Sequence, residues 1–167
     1  MLVTNIYKVI SFILLPFALF FGLMSLVSLF VAIGNPSMLL PLALVICSVI
    51  YIITSFIFVY NGIIKASKCN ASLKDWIKVN GYVALFFGTM CIIQFITLKM
   101  QPQMMQTFIN QSMSMQKNMP KDTVTLMMPK LIDGVLYFIL TFGVLLVTHI
   151  SITFAFLRTK EDIFHQD

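Results

Sequence analysis

The chain has 167 residues, of which 59% are hydrophobic and only 10% charged, with a mean hydropathy of +0.96. Soluble domains sit near half apolar and about a quarter charged, so this composition excludes a soluble globular fold, which would lack the polar surface to stay in solution. The net charge of +5 does not indicate nucleic-acid binding, because the eleven basic residues are scattered between hydrophobic runs and form no stripe.

No charged residue lies between Lys8 and Lys65. That run is too long for one membrane crossing, and Gly34-Asn35-Pro36-Ser37 interrupts it with the composition of a tight turn. It predicts a helical hairpin over residues 9–33 and 38–64. The apolar stretch from Val9 to Ile33 exceeds the roughly 7–15 residues of a signal peptide core, which favours an uncleaved first span. Ser72-Leu73-Lys74-Asp75 has the capping-box pattern and precedes a third span over about 76–98. Trp76, the only Trp, is expected at headgroup level there. Pro102, Pro120 and Pro129 divide the segment that follows, and a fourth span is expected over about 134–157. Each run suffices to cross about 30 Å of hydrocarbon. The runs are continuous and do not alternate, which excludes transmembrane β-strands. The predicted fold is an all-α four-helix transmembrane bundle forming a single integral membrane domain over 1–167.

Orientation follows from the basic residues. One side carries Lys8, Lys65, Lys68, Lys74, Lys78, Arg158 and Lys160, and the other Lys99, Lys117, Lys121 and Lys130. The excess close to span ends places both termini in the cytoplasm. Cys47, Cys69 and Cys91 show no CxxC spacing, so neither a disulfide nor a metal site is expected of them.

Apart from Lys78 at the edge of the third, no Asp, Glu, Lys or Arg falls inside a span, and His149 is the only ionisable candidate at depth. With span centres near residues 21, 51, 88 and 145, His149 lies ~6 Å to the cytoplasmic side of the midplane. Thr54 and Ser55 share that depth, so an inward-pointing, neutral His149 is expected to hydrogen-bond one of them. Gln94, ~8 Å to the outer side, would form a second layer with Ser48, Thr141 and one of Ser25 or Ser28. The simplest role for both layers is interhelical glue. Gly81, Ala84 and Gly88 form a small-residue seam on span three, and Ala18 with Gly22 a small-xxx-small pair on span one, as suits close helix packing.

Between Lys99 and Lys130 lie eight of the twelve methionines. Met104, Met105, Phe108, Ile109, Met115 and Met119 recur at three- and four-residue steps, with Gln and Asn on the other side. This predicts an amphipathic helix over about 103–118, lying on the outer membrane surface or folded over the bundle, with those six residues as a partner-binding face. Met113 and Met115 form an MxM element that could take Cu(I) through soft thioethers, although no Cys or His accompanies them in the loop. Asn110-Gln111-Ser112 is a sequon, relevant only in a eukaryotic secretory pathway. Arg158 to Asp162 reads as an ordinary charged terminus, with His165 solvated beyond it.

The layout resembles a family of small bacterial four-span inner-membrane proteins that carries a domain-of-unknown-function label. The likeness rests on the tight hairpin, the Lys-bearing loop with Gly81 near the start of span three, the Met- and Gln-rich outer helix and the Lys160–Asp162 tail. This chain departs from the family in having no Glu in the outer helix. The resemblance implies a multi-pass protein of the bacterial inner membrane and no activity.

No nucleophile–base pair, carboxylate pair or cofactor motif can be assembled, so the chain is not expected to be an enzyme or to hold a cofactor. The expected function is that of an accessory or scaffold subunit of a larger membrane complex, with lipid and another membrane protein or itself as partners. The alternatives are an oligomeric transporter or channel component, which needs the polar layers to face a pore, and Cu(I) handling by the Met-rich loop.

Overall fold

A computed structural model describes residues 2–115, 121–160 and 163–165, without the side chains of residues 108, 112–128 and 165. The architecture is all-α. Helix α1 spans Leu2–Ile33, α2 Leu39–Phe58, α3 Ala71–Met100, α4 Pro102–Met115 and α5 Lys121–Thr159. Among the described residues, four segments are long and apolar enough to cross a membrane: Leu2–Ile33, Pro36–Ile64, Ala71–Met100 and Pro129–Thr159. Even in the most covered of them only 44% of the most apolar window is buried, so most of this apolar surface faces outward. Lipid is the solvent that accepts such a surface, and the chain is an integral multi-pass membrane protein.

The hairpin turn forms as its composition requires. Pro36 opens a 3-10 turn over Pro36–Met38, and the Ser37 hydroxyl donates to Asn35 Oδ1 at 2.7 Å. The helices, however, outrun the apolar spans. α1 begins at Leu2 and not near Val9, because Tyr7 and Ile10 are buried and their packing holds the first turns. α3 begins at Ala71, and its cap is Asn70, whose Oδ1 accepts the Ser72 N–H at 2.8 Å. The Ser72–Asp75 box expected to start the helix therefore lies within its first turns. Pro129, expected to precede span four, sits inside α5, as Pro16 does inside α1; neighbouring groups can satisfy the freed carbonyl in a membrane helix.

Where the sequence reads as one domain, the backbone groups into two compact units, Met1–Phe87 with Leu145–Asp167 and Gly88–Val144. In the first unit, α2 ends in a π turn over Val59–Ile64. Its carbonyls are closed by Lys65 N–H on Tyr60 at 3.0 Å and Ser67 N–H on Asn61 at 2.9 Å. Ala66 between them takes a φ of 52°, the left-handed geometry that ends many helices. The C-terminal segment is docked here. Phe164 stacks on Phe58 with centroids 5.5 Å apart, and Phe164–His165 pairs in parallel with Cys69–Asn70. The tail is thus more than a charged terminus. Burial pushes the Cys69 thiol above its ordinary value, which makes it a poor nucleophile.

In the second unit, Leu98, Ile109, Ile132 and Leu136 form a buried cluster, with Phe95 and Met105 against it. Ile109 and Met105 come from α4, so part of the apolar face expected to meet a partner is used internally. Folding α4 over its neighbours removes these side chains from solvent without any second protein. Met104 of the same face is exposed. The side chains of Phe108, Met113 and Met115, and the whole of Met119, lie outside the described residues. Lys99 and Asp133 pair at 2.7 Å, an exposed contact that ties α3 to α5 and contributes little to stability.

Candidate functional site

Three helices each bring a polar pair at i and i+4, which places both members on one face. These are Tyr7 and Ser11 on α1, Tyr51 and Ser55 on α2, and His149 and Thr153 on α5. All six are at most 1% exposed. The fourth helix contributes by having almost no side chain: a Cβ on Gly81 of α3 would lie 2.9 Å from the Phe154 ring and 3.3 Å from that of Tyr51. Ala84, one turn further on, is fully buried. Small residues on α3 therefore leave the volume that the aromatic rings of α2 and α5 fill.

His149 is the centre of the cluster. Its Nε2 lies 2.8 Å from Ser11 Oγ and its Nδ1 2.9 Å from Tyr51 Oη. The Tyr7 ring stacks on the imidazole with centroids 4.8 Å apart, and Tyr51 meets it edge-on at 5.7 Å. Tyr51 Oη is also 2.8 Å from Thr153 Oγ1, and the Thr153 hydroxyl lies 3.0 Å from Tyr7 Oη. Among the described residues, no buried side-chain nitrogen or oxygen lacks a hydrogen-bond partner.

The directions of these bonds are constrained at their ends. The Ser11 hydroxyl donates to the Tyr7 carbonyl at 2.7 Å, and the Thr153 hydroxyl to the His149 carbonyl at 2.8 Å. A carbonyl can only accept, and each hydroxyl has a single hydrogen. Ser11 Oγ must then accept from Nε2. Likewise Thr153 Oγ1 must accept from Tyr51, whose oxygen in turn accepts from Nδ1. Followed consistently, both chains ask the imidazole to donate, yet a neutral imidazole has one N–H. A neutral ring completes one chain, and in the other a hydroxyl must then share its hydrogen between a helix carbonyl and its neighbour. The bond from a Ser or Thr hydroxyl to its own helix is the weak member that can yield.

Several expected positions differ. His149 points inward, but its partners are Ser11 and Tyr51. Thr54 donates instead to the carbonyls of Ile50 at 2.8 Å and Tyr51 at 3.1 Å, and Ser55 to that of Ile52 at 3.0 Å. The outer polar layer does not assemble. Ser48 donates to Leu44, Ser25 to Phe21 and Thr141 to Tyr137, each within its own helix, while Gln94 and Ser28 are exposed. A helical Ser or Thr can satisfy its hydroxyl on the preceding turn, so equal depth does not create a partner. Of the packing residues, Gly81, Ala84, Gly88 and Ala18 are buried. Gly22 makes only an ordinary contact, with 3.6 Å from its Cβ position to Val49. Gly143, not anticipated, marks a close backbone approach: a Cβ there would lie 3.0 Å from the Gly88 carbonyl oxygen.

Among the described residues, the grooves of the first unit include the following three. One of about 520 Å³ runs between α1 and α2 at the hairpin end, past Phe21, Ser25, Ala32, Leu42 and Val45. A second, of about 380 Å³, follows the same pair past Ala18, Gly22, Ser25, Val49 and Ile53. The third, of about 490 Å³, lies between α3 and α5 at Lys78, Tyr82, Phe154 and Arg158. No member of the histidine cluster lines any of them. Comparison with protein-family models, curated proteins and solved structures found no match for this chain.

Proposed function

We propose that this protein is a non-enzymatic accessory or scaffold subunit of a larger membrane complex, with both termini on the cytoplasmic side of a bacterial inner membrane. The observation that carries the reading is the closure of the His149 cluster. Its polar atoms engage one another and their own helices, and none lines the three grooves described above, so the buried polarity serves packing and specificity. What the surface offers is apolar. From Leu26 to Ile33 every residue of α1 except Ala32 is exposed, and the two grooves beside this stretch have small residues at their floors. A membrane helix gains van der Waals contact by settling over such small residues.

The test is purification of the chain from its native membrane in mild detergent, with identification of what travels with it. A stoichiometric membrane protein is expected, lost from variants that fill the grooves (Gly22→Leu, Ser25→Leu) but elute as folded species. A lone homo-oligomer that carries solute flux in proteoliposomes would replace this reading with an oligomeric transporter or channel component. The feature that favours that second reading is the hydroxyl–imidazole chain itself, a geometry able to hand a proton along if water reaches it.

A further inference from the structure

The groove between α3 and α5 differs from the other two in having cations at its rim. Lys78 and Tyr82 are one turn apart on α3, and Phe154 and Arg158 one turn apart on α5. The Tyr82 and Phe154 rings are in contact, with centroids 5.0 Å apart and an interplanar angle of 52°. Gly81 lets the Phe154 ring lie against the α3 backbone. The two helices run in opposite directions from that contact. Four residues toward the end of the unit from each ring is ~6 Å, which brings the Lys78 and Arg158 stems side by side above an aromatic wall. Among the described residues neither head group meets a carboxylate. Asp75, one turn before Lys78, is the nearest acidic residue along α3, so among the described residues the rim carries a net positive charge.

We propose that this groove binds the phosphate of an anionic glycerophospholipid, held between the Lys78 ammonium and the Arg158 guanidinium. Lys78 and Arg158 belong to segments that cross the membrane, near the start of α3 and the end of α5, where headgroups lie. Arginine presents a planar fork that matches phosphate oxygens, and lysine adds a mobile point charge. Below the cations the wall turns apolar. Tyr82 and Phe86 are exposed along α3, a track on which an acyl chain can lie. A free phosphate would engage the rim alone and gain nothing from that wall, so the lipid is the occupant the whole groove fits.

The experiment is a native mass-spectrometry titration of the full chain in detergent with phosphatidylglycerol, with phosphatidylcholine, whose choline cation offsets its phosphate, as the net-neutral comparison. One phosphatidylglycerol is expected to be retained. Its affinity should fall about tenfold in the double variant Lys78→Gln/Arg158→Gln, and persist in the charge-preserving Lys78→Arg/Arg158→Lys. Lys65→Gln, which removes a cation that lies over the Tyr60 ring and not in the groove, should leave it unchanged. Equal retention of phosphatidylcholine, or undiminished binding by the double glutamine variant, would overturn the site. Displacement of the lipid by millimolar inorganic phosphate would overturn the lipid assignment.

Discussion

Each ring nitrogen of His149 ends in a hydroxyl, and the two hydroxyls are not equivalent. Ser11 keeps a second partner in the Tyr7 carbonyl, whereas Tyr51 bridges Nδ1 and Thr153. Their removal should therefore differ. Tyr51→Phe leaves Nδ1 buried without a partner and removes the link to Thr153, for an expected loss of about 1–2 kcal/mol. His149→Leu leaves Ser11 and Tyr51 with their other partners, and about 1 kcal/mol is expected, because single interhelical hydrogen bonds in membranes average ~0.6 kcal/mol. Unfolding titrations in mixed detergent micelles measure both. If His149→Leu proved the costlier change, the remaining partners of Ser11 and Tyr51 would not make up for the lost imidazole. Only part of this cluster was legible beforehand. His149 stood out as the lone ionisable residue in a span, but its depth was counted from assumed span centres. Ser11 lies ten residues from the centre assumed for its helix, ~15 Å along the axis, which puts it outside the depth of His149 on that count. The readable signal was the spacing Tyr-x-x-x-Ser at Tyr7–Ser11 and again at Tyr51–Ser55, matched by His149–Thr153.

At the scale of elements, glycine positions decide how closely α3 and α5 approach. Gly143→Ala would put a methyl 3.0 Å from the Gly88 carbonyl oxygen, 3.2 Å from Cys91 Cβ and 3.3 Å from Ile92 Cγ1. Backbone and Cβ atoms cannot swing aside, so a loss of about 1–3 kcal/mol is expected. Gly134 of the same helix faces open space. Gly134→Ala should stabilise by about 0.5–1 kcal/mol, since the helix keeps its geometry and the unfolded chain loses freedom. A thermal-shift comparison of the two variants in detergent checks the opposite signs; a shared sign would mean that helix propensity, and not contact, governs both. The existence of the long helices was evident from the uncharged runs, but their ends were not. Hydropathy marks where lipid begins, whereas α1 and α3 continue past that point because Tyr7 is packed and Asn70 supplies a cap. The fate of α4 was equally hidden. Its apolar face suits a partner or its own bundle, and only tertiary contacts show that Ile109 faces inward.

For the whole molecule, four crossings fix which loops share a side, and the proposed orientation can be read with single cysteines. Ser37 lies in the hairpin turn and Ser67 beyond the other end of the same crossing segment, Pro36–Ile64. In a background lacking Cys47, Cys69 and Cys91, an impermeant maleimide added outside should label Ser37→Cys and spare Ser67→Cys. The reverse pattern would invert the topology. The α1–α2 pair also has a mechanical character. It is pinned at one end by the Ser11–His149–Tyr51 bonds and at the other by a short, rigid turn. Just beyond the pin, Pro16 removes one backbone hydrogen bond from α1. A rod fixed at both ends and softened between them bows in its middle, here around Ala18 to Ser25. Ser25 lines both of the grooves that follow this pair. Bending of α1 there moves a wall common to both grooves, so neither can change its width without the other responding.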